Sequence, residues 1–177
     1  MLTGPLTRFD PLRLASQATE LSGELDTTRM PRLADVLAAP ATARWTLRAG
    51  RDEAKRLVLH GEVAARVSAI CQRCMEPVEL PLQSDIMLAV VSDDEGASRL
   101  PASLDPVFMD ENGEIDLAIL LEDELLLAMP AVPMHENVAD CGERASKMST
   151  GALEEFDIAE RENPFAVLKK LKQDKPD

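Results

Sequence analysis

Aromatic side chains are scarce in this sequence, whose 177 residues include one Trp, four Phe and no Tyr. Proteins that bind single-stranded nucleic acids commonly stack the bases on aromatic side chains, so this type of binding surface is disfavoured. Long apolar runs are also missing, because Glu122, Asp123 and Glu124 interrupt the most apolar stretch, residues 117–129. We therefore expect no membrane-spanning helix and no membrane partner.

Motifs of the common enzyme classes are absent as well. The eight glycines form neither a phosphate-binding loop nor a dinucleotide-binding motif, and no Gly-x-Ser-x-Gly nucleophile motif occurs. Two His and no Tyr leave few candidates for general acid–base catalysis. The sequence therefore predicts a protein that is not an enzyme and has no small-molecule substrate.

Cysteine is rare, and three residues cannot all be paired in disulfides within one chain. The N-terminal residues lack an apolar run long enough for a signal peptide, so the sequence predicts a cytoplasmic protein with reduced thiols. Cys71 and Cys74 form a Cys-x-x-Cys motif, whose two-residue spacer lets both thiolates face one metal ion. Besides His60, the remaining candidate ligands are His135 and Cys141. The sequence therefore predicts a Cys3His zinc site, with ordinary thiols and a surface histidine as the alternative.

A thiol redox site is the rival interpretation of the same motif. It requires Cys-x-x-Cys at the start of a helix, where the helix N-terminus lowers the pKa of a thiol. Here Pro77 and an alternating strand pattern follow the motif within a few residues, and both disfavour a helix. Metal binding is the interpretation that agrees with this local pattern.

Alternation of apolar and polar residues predicts strands at 43–49, 57–67, 78–83 and 86–91. The Cys-x-x-Cys motif follows the second of these, which puts it at the tip of an antiparallel hairpin, and Pro81 predicts an edge or a bulge. Helices are predicted at 30–39 and from Leu117 to about Met129, the second capped by Asp116 and ended by Pro130. Together these patterns predict an α+β fold, an antiparallel sheet with a Cys-x-x-Cys hairpin and helices packed on it.

Three parts are predicted along the chain. Residues 1–141 are expected to form a single α+β domain, followed by a flexible polar C-terminal tail. Its first part, residues 142–162, is predicted to be an acidic linker, and its last part, residues 163–177, a short amphipathic segment. Docking on a partner and folding back on the domain both fit this segment. Its candidate partner-binding residues are Phe165, Leu168 and Leu171.

Charge is unevenly distributed along the chain. The formal net charge is −13, but residues 29–73 carry nine basic and four acidic residues, a net charge of +5. Residues 92–124 carry eleven acidic residues and one Arg, a net charge of −10. The basic segment is a candidate RNA contact, with a solvated strand face as the alternative. Its candidate RNA-binding residues are Arg44, Arg48, Arg66 and Arg73.

Four strings of this sequence resemble the YceD family, the large ribosomal RNA subunit accumulation proteins. In chain order they are LTRFDPLRLA, CQRCMEPVELPLQ, LPASLDPVFMDENGEIDLAILLEDELLLAMPAVPMHE and NPFAVLKKLK. The resemblance covers most of the chain, and Met129-Pro130 departs from it where Leu-Pro is expected. It implies a cytosolic, non-enzymatic factor needed for accumulation of large-subunit ribosomal RNA. It also implies ligand-type residues at positions 71, 74, 135 and 141, which favours zinc.

Two functional hypotheses follow from the resemblance and the charge distribution. In the first, the chain is a ribosome biogenesis factor whose acidic segment binds a basic ribosomal protein, an assembly factor or a large-subunit assembly intermediate. In the alternative, the basic segment at residues 29–73 binds precursor ribosomal RNA directly.

Overall fold

A six-stranded sheet is the framework of the structure, a computed structural model that describes residues 8–142. The strands, in chain order, are β1 (Arg8–Phe9), β2 (Glu20–Asp26), β3 (Leu37–Ala39), β4 (Thr42–Arg51), β5 (Leu57–Ile70), β6 (Pro77–Val91), β7 (Asp105–Phe108) and β8 (Ile115–Asp116). The helices are α1 (Pro11–Gln17), α2 (Pro31–Ala34), α3 (Asp94–Ser98) and α4 (Leu117–Ala128). The predicted linker and C-terminal segment, with Phe165, Leu168 and Leu171, lie outside the described residues.

The strands of this sheet lie in the order β2-β4-β5-β6-β7, and β3 pairs with β5. All of these pairings are antiparallel except β6 with β7, which is parallel. Strands β1 and β8 form a separate antiparallel ribbon of two residues each. The predicted α+β class with an antiparallel hairpin is confirmed, while the last strand makes the sheet mixed.

Strands β5 and β6 form the long hairpin on which the candidate site is built. Their register runs from Val58 opposite Ala89 to Ile70 opposite Pro77, so the Cys-x-x-Cys motif occupies the turn. Strand β7 pairs only with residues 88–91 of β6, and no other described strand covers the outer edge of residues 77–87. Pro81 therefore lies in an edge segment, as predicted. Its lack of an N–H group costs no hydrogen bond to a further strand there.

Helix α4 covers the sheet and supplies much of the core. The Asp116 carboxylate caps it by accepting hydrogen bonds from the N–H groups of Ala118 (2.9 Å) and Ile119 (3.3 Å). The helix ends at Ala128, two residues before Pro130, as the sequence predicted. Its buried apolar residues are Leu117, Leu120, Leu121 and Leu125. Among residues 8–142, no helix combines the length and the apolar character needed to cross a membrane.

A buried carboxylate connects α4 to α2. Only 2% of the Glu122 side chain is exposed, yet both of its oxygens are used. One oxygen accepts two hydrogen bonds from Arg32, at 2.9 and 2.7 Å, and the other accepts one from the N–H of Leu33 at 3.1 Å. Arg32 also forms an ion pair with Asp123 at 2.7 Å. This cluster fastens α2 onto α4, and sequence analysis did not foresee it.

The predicted helix at residues 30–39 is wrong over its second half. Helix α2 ends at Ala34, and Leu37–Ala39 forms β3, which pairs with β5 around Ala69. The side chain of Thr27 accepts a hydrogen bond from the N–H of Ala41 at 2.8 Å, which turns the chain toward the sheet. Pairing with a long neighbouring strand outweighs helical propensity here, since propensity is worth only tenths of a kcal/mol per residue.

Candidate metal centre

The turn between β5 and β6 presents Cys71 and Cys74 on the same side. The N–H of Cys71 donates to the carbonyl of Glu76 at 2.9 Å, and the N–H of Met75 donates to the carbonyl of Cys71 at 2.8 Å. Met75 has a φ of 63°, in the left-handed region where a side chain costs free energy. This tight turn brings the two sulfurs inward, and both cysteines are buried.

The chain after α4 returns to this turn. Pro130 and Pro133 cannot extend the helix, and the carbonyl of Pro133 accepts a hydrogen bond from the N–H of Gln72 at 2.8 Å. A 3₁₀ turn at Val138–Cys141 then buries the Cys141 side chain beside the hairpin tip. The return that the sequence predicted for His135 and Cys141 is therefore present.

The four predicted ligand residues come together in space. The ligand atoms of Cys71, Cys74, His135 and Cys141 all lie within 4.8 Å of one another. Cys71 Sγ is 3.9 Å from Cys141 Sγ, and His135 Nδ1 is 3.5 Å from the sulfurs of both Cys74 and Cys141. A tetrahedral zinc ion with Zn–S and Zn–N bonds of ~2.3 and ~2.05 Å separates two sulfurs by about 3.8 Å and a sulfur from a nitrogen by about 3.6 Å. The three contacts therefore match the edges of such a tetrahedron.

The local hydrogen bonds favour the thiolate form of Cys71. Burial raises the pKa of the Cys71 thiol. Hydrogen bonds from the backbone N–H groups of Cys74, His135 and Arg73 and from the His135 side chain together outweigh burial, so the pKa is lowered to about 5. Burial raises the pKa of Cys74, and the neighbouring sulfurs add to this effect. A metal ion binds the thiolate form, so a cation in this centre would compensate the charges that burial penalises.

The composition of the centre limits its chemistry. Three thiols and one imidazole can supply four protein ligands, which completes a tetrahedral shell and leaves no position for water or substrate. Closed sites of this kind stabilise structure, whereas catalytic zinc sites keep one position open. His60, the other histidine, lies on β5 opposite Met87, in the interior of the sheet register and away from the hairpin turn. The residues can hold a metal, and their arrangement is that of a structural centre.

The candidate RNA-binding residues do not form one cluster. Arg44 and Arg48 are exposed on one face of β4, and Arg66 is exposed on β5. Arg44 forms an ion pair with Glu24 of the neighbouring strand at 3.1 Å. Arg73 is part of the hairpin tip, where its guanidinium donates to Cys141 Sγ. RNA binding by these residues stays a prediction, and the structure separates Arg73 from the other three.

Several carboxylates of the acidic segment at residues 92–124 already pair with groups within the protein. Glu122 and Asp123 bind Arg32, and Glu124 accepts a hydrogen bond from Ser84 Oγ at 2.7 Å. Further members pair with Arg8 or cap a turn or helix, namely Asp93, Asp110 and Asp116. A net charge counted along the sequence therefore overstates the charge that this segment presents to a partner.

Sequence analysis missed the role of Arg73 in the centre and the buried pair of Arg32 with Glu122. The first has a partial local signal, because Arg73 lies in the spacer of the Cys-x-x-Cys motif, although the sulfur it contacts, Cys141 Sγ, is 68 positions away. The second has no local signal, since the two residues are 90 positions apart in the chain.

Comparison with known proteins identifies the family. A family model described as Large ribosomal RNA subunit accumulation protein YceD matches residues 59–172. A curated protein of Haemophilus influenzae with the same description is 38% identical over 170 residues, which are 96% of this chain and 96% of that protein. The chain belongs to the YceD family. The resemblance inferred from the four sequence strings is thereby confirmed.

The match to the YceD family includes the candidate centre. Residues 59–172 contain the complete β5–β6 hairpin tip and the loop that supplies His135 and Cys141. No solved structure matches this chain. The family name refers to accumulation of large-subunit ribosomal RNA and describes no enzymatic reaction.

Proposed function

We propose that this chain is a non-enzymatic ribosome biogenesis factor that supports accumulation of large-subunit ribosomal RNA. The observation that carries the proposal is the match to the YceD relative across 96% of both chains. The closed set of four candidate ligands agrees with a structural role for the centre. A role in ribosome assembly also agrees with the cytoplasmic location that the sequence predicts.

We further propose that the centre binds zinc. Three cysteine sulfurs and one imidazole nitrogen favour zinc over magnesium or calcium, which prefer oxygen ligands and larger coordination numbers. Cys71, Cys74, His135 and Cys141 would hold the ion, and the ion would supply a cross-link between the hairpin tip and the loop after α4. Such a cross-link would give the end of the hairpin one defined shape for a partner.

The partner that the charges favour is a basic ribosomal protein or assembly factor. Within the acidic segment, the exposed carboxylates without an ion pair in the described structure include Asp94, Asp105 and Glu111. They lie on α3, on β7 and just after β7. Exposed acidic groups are suited to binding a Lys- and Arg-rich surface. Binding there would keep a basic protein from contacting RNA prematurely.

Replacing Asp94 and Asp105 by Asn and Glu111 by Gln together should weaken capture of basic ribosomal proteins several-fold at low salt. The physical reason is that exposed charges attract over about 10 Å at 0.1 M salt, so the loss should shrink as salt rises. The measurement is a pull-down of dissociated ribosomal proteins by the full chain at low and moderate salt. The matched control changes Glu20, Asp35 and Glu53, which are exposed elsewhere, to their amides. Recovery of no ribosomal protein at either salt concentration would contradict the proposal.

Direct binding of precursor ribosomal RNA is the second candidate, and one feature favours it. Arg48, Arg51 and His60 line a shallow depression of about 390 Å³ where β4 turns into β5. Neither arginine forms an ion pair with a described carboxylate, unlike Arg44. Lys55 is exposed in the adjoining turn. Unpaired cations at one end of a sheet can bind phosphate groups.

If this surface binds RNA, Arg48→Ala with Arg51→Ala should weaken binding of a large-subunit RNA fragment and reduce its dependence on salt. Loss of two phosphate contacts lowers the slope of log K against log salt by about 1.4–1.8. Filter binding between 50 and 200 mM salt measures both quantities, with Arg13→Ala plus Arg99→Ala as the control pair. Absence of binding at 50 mM salt, or an equal loss in the control pair, would remove this candidate.

A further inference from the structure

Arg73 occupies the spacer of the Cys-x-x-Cys motif and reaches across to the other half of the centre. Its Nε donates a hydrogen bond to Cys141 Sγ at 3.0 Å. The same guanidinium donates through one terminal nitrogen to the carbonyl oxygens of His135 at 2.9 Å and Asn137 at 3.0 Å. One side chain therefore contacts the sulfur of one candidate ligand and the backbone of another.

No carboxylate that the structure describes competes for the guanidinium of Arg73. Among the described residues, no carboxylate forms an ion pair with Arg73. Arg73 is partly buried, so part of its hydration is lost and its charge acts at short range. An arginine guanidinium is charged throughout the physiological pH range.

Charge balance explains why a cation is needed at this position. Three thiolates, one neutral imidazole and one divalent ion have a net charge of −1. Burial of all three cysteines makes an uncompensated negative charge costly, because a charge taken out of water loses its hydration. A guanidinium 3.0 Å from one sulfur brings the local net charge to zero.

Resting on the proposed zinc site, we propose that Arg73 is a positioning residue of the metal centre. It neutralises the excess thiolate charge, fixes the Cys141 sulfur and holds the loop that carries His135. Its planar fork makes three hydrogen bonds in fixed directions, which the single ammonium group of Lys does not reproduce. Arg73 thus affects how tightly the metal is held. The sequence predicts an RNA contact for Arg73, whereas these hydrogen bonds point to a role in the metal centre.

The test measures zinc affinity of the full chain by competition with a chromophoric chelator. Arg73→Met should lower zinc affinity by about 10–100-fold, the usual cost of removing an outer-shell partner of a metal ligand. Arg73→Lys, which keeps the charge and loses the fork, should fall between Arg73→Met and the wild type. Gln72→Met is the matched control, because Gln72 lies in the same turn and, among residues 8–142, its side chain donates to the local carbonyl of Ile70 and to no ligand of the centre.

A second readout separates electrostatic positioning from simple packing. With Co²⁺ as the probe, the thiolate-to-cobalt charge-transfer band of Arg73→Met should move to longer wavelength. The reason is that a thiolate without a hydrogen bond is a stronger electron donor. The spectrum of Gln72→Met should match that of the wild type.

The outcomes distinguish this inference from the zinc proposal. If the wild-type chain binds neither Zn²⁺ nor Co²⁺, the zinc proposal fails and this inference fails with it. If the wild type binds zinc and Arg73→Met binds it equally tightly, the inference about Arg73 alone is wrong. If Arg73→Met does not fold, the zinc affinity of Arg73→Lys is the deciding measurement. A lower zinc affinity than that of Gln72→Met supports the inference, and an equal zinc affinity overturns it.

Discussion

Cys74→Ser is expected to lower the zinc affinity of the chain by at least about a thousandfold and to release the hairpin tip from the loop at residues 133–141. Structural zinc sites supply about 10–16 kcal/mol of apparent binding free energy in small peptides, so loss of one of four ligands removes a large share. Because the ion would join the two segments, both should loosen together. The backbone hydrogen bond from Gln72 to Pro133 is the reporter of that junction.

The change should remain local. Cys71, Cys74, Cys141 and Val78 form a small buried cluster that is separate from the main core. Trp45, the single Trp, belongs to the main core between the sheet and its helices. Its fluorescence should therefore change little, while amide hydrogen exchange should rise at Gln72 and in the loop that holds His135.

Metal analysis of protein purified without an affinity tag measures the first part of this prediction. About one equivalent of zinc is expected in the wild type and in Gln72→Ser, the control in the same turn. Hydrogen exchange with and without a strong chelator measures the second part. A wild-type zinc content below about a tenth of an equivalent would show that the centre is not a structural zinc site.

Arg32→Met is expected to destabilise the protein by about 3 kcal/mol. It would leave the carboxylate of Glu122, which is only 2% exposed, with a single hydrogen bond from the N–H of Leu33. Removing one partner of a buried ion pair typically costs about 3–5 kcal/mol, and the lower end applies because 54% of Arg32 is exposed. The measurement is the free energy of unfolding from urea titration monitored by Trp45 fluorescence.

A double substitution and a matched control give this prediction its specificity. Arg32→Met combined with Glu122→Met should recover about half of the lost free energy, since the buried charge is then gone. Arg44→Met is the control, because its ion pair with Glu24 is exposed on both sides and should be worth less than about 1 kcal/mol. Equal losses for Arg32→Met and Arg44→Met would contradict a special role for the buried pair.

Local patterns in the sequence predicted the elements that carry the centre. Period-two alternation predicted β4, β5 and much of β6, because each strand has one buried and one exposed face. Asp116 and Pro130 predicted the ends of α4 to within one residue, since capping and chain breaking act within one turn. The tip of the hairpin followed from these assignments without any long-range contact.

Long-range pairing explains the prediction that was wrong. Residues 37–39 read as the end of a helix, yet they form a strand because β5 extends beyond β4 and offers an unpaired edge there. The parallel pairing of β7 with β6 is of the same kind, since it depends on where the chain returns after α3. No local pattern specifies which edge of a sheet a short segment will meet.

Scarcity of ligand-type residues let the sequence by itself determine the members of the candidate centre. With three Cys and two His in the chain, Cys71, Cys74, His135 and Cys141 were nearly the only combination available. Only the tertiary structure decided that their ligand atoms lie within 4.8 Å and that Arg73 joins them. It also decided which carboxylates of the acidic segment form hydrogen bonds or ion pairs within the protein, as Glu122 does. Composition and spacing act along the chain, whereas contact between residues 60 to 90 positions apart depends on how the helices and the loop pack against one sheet.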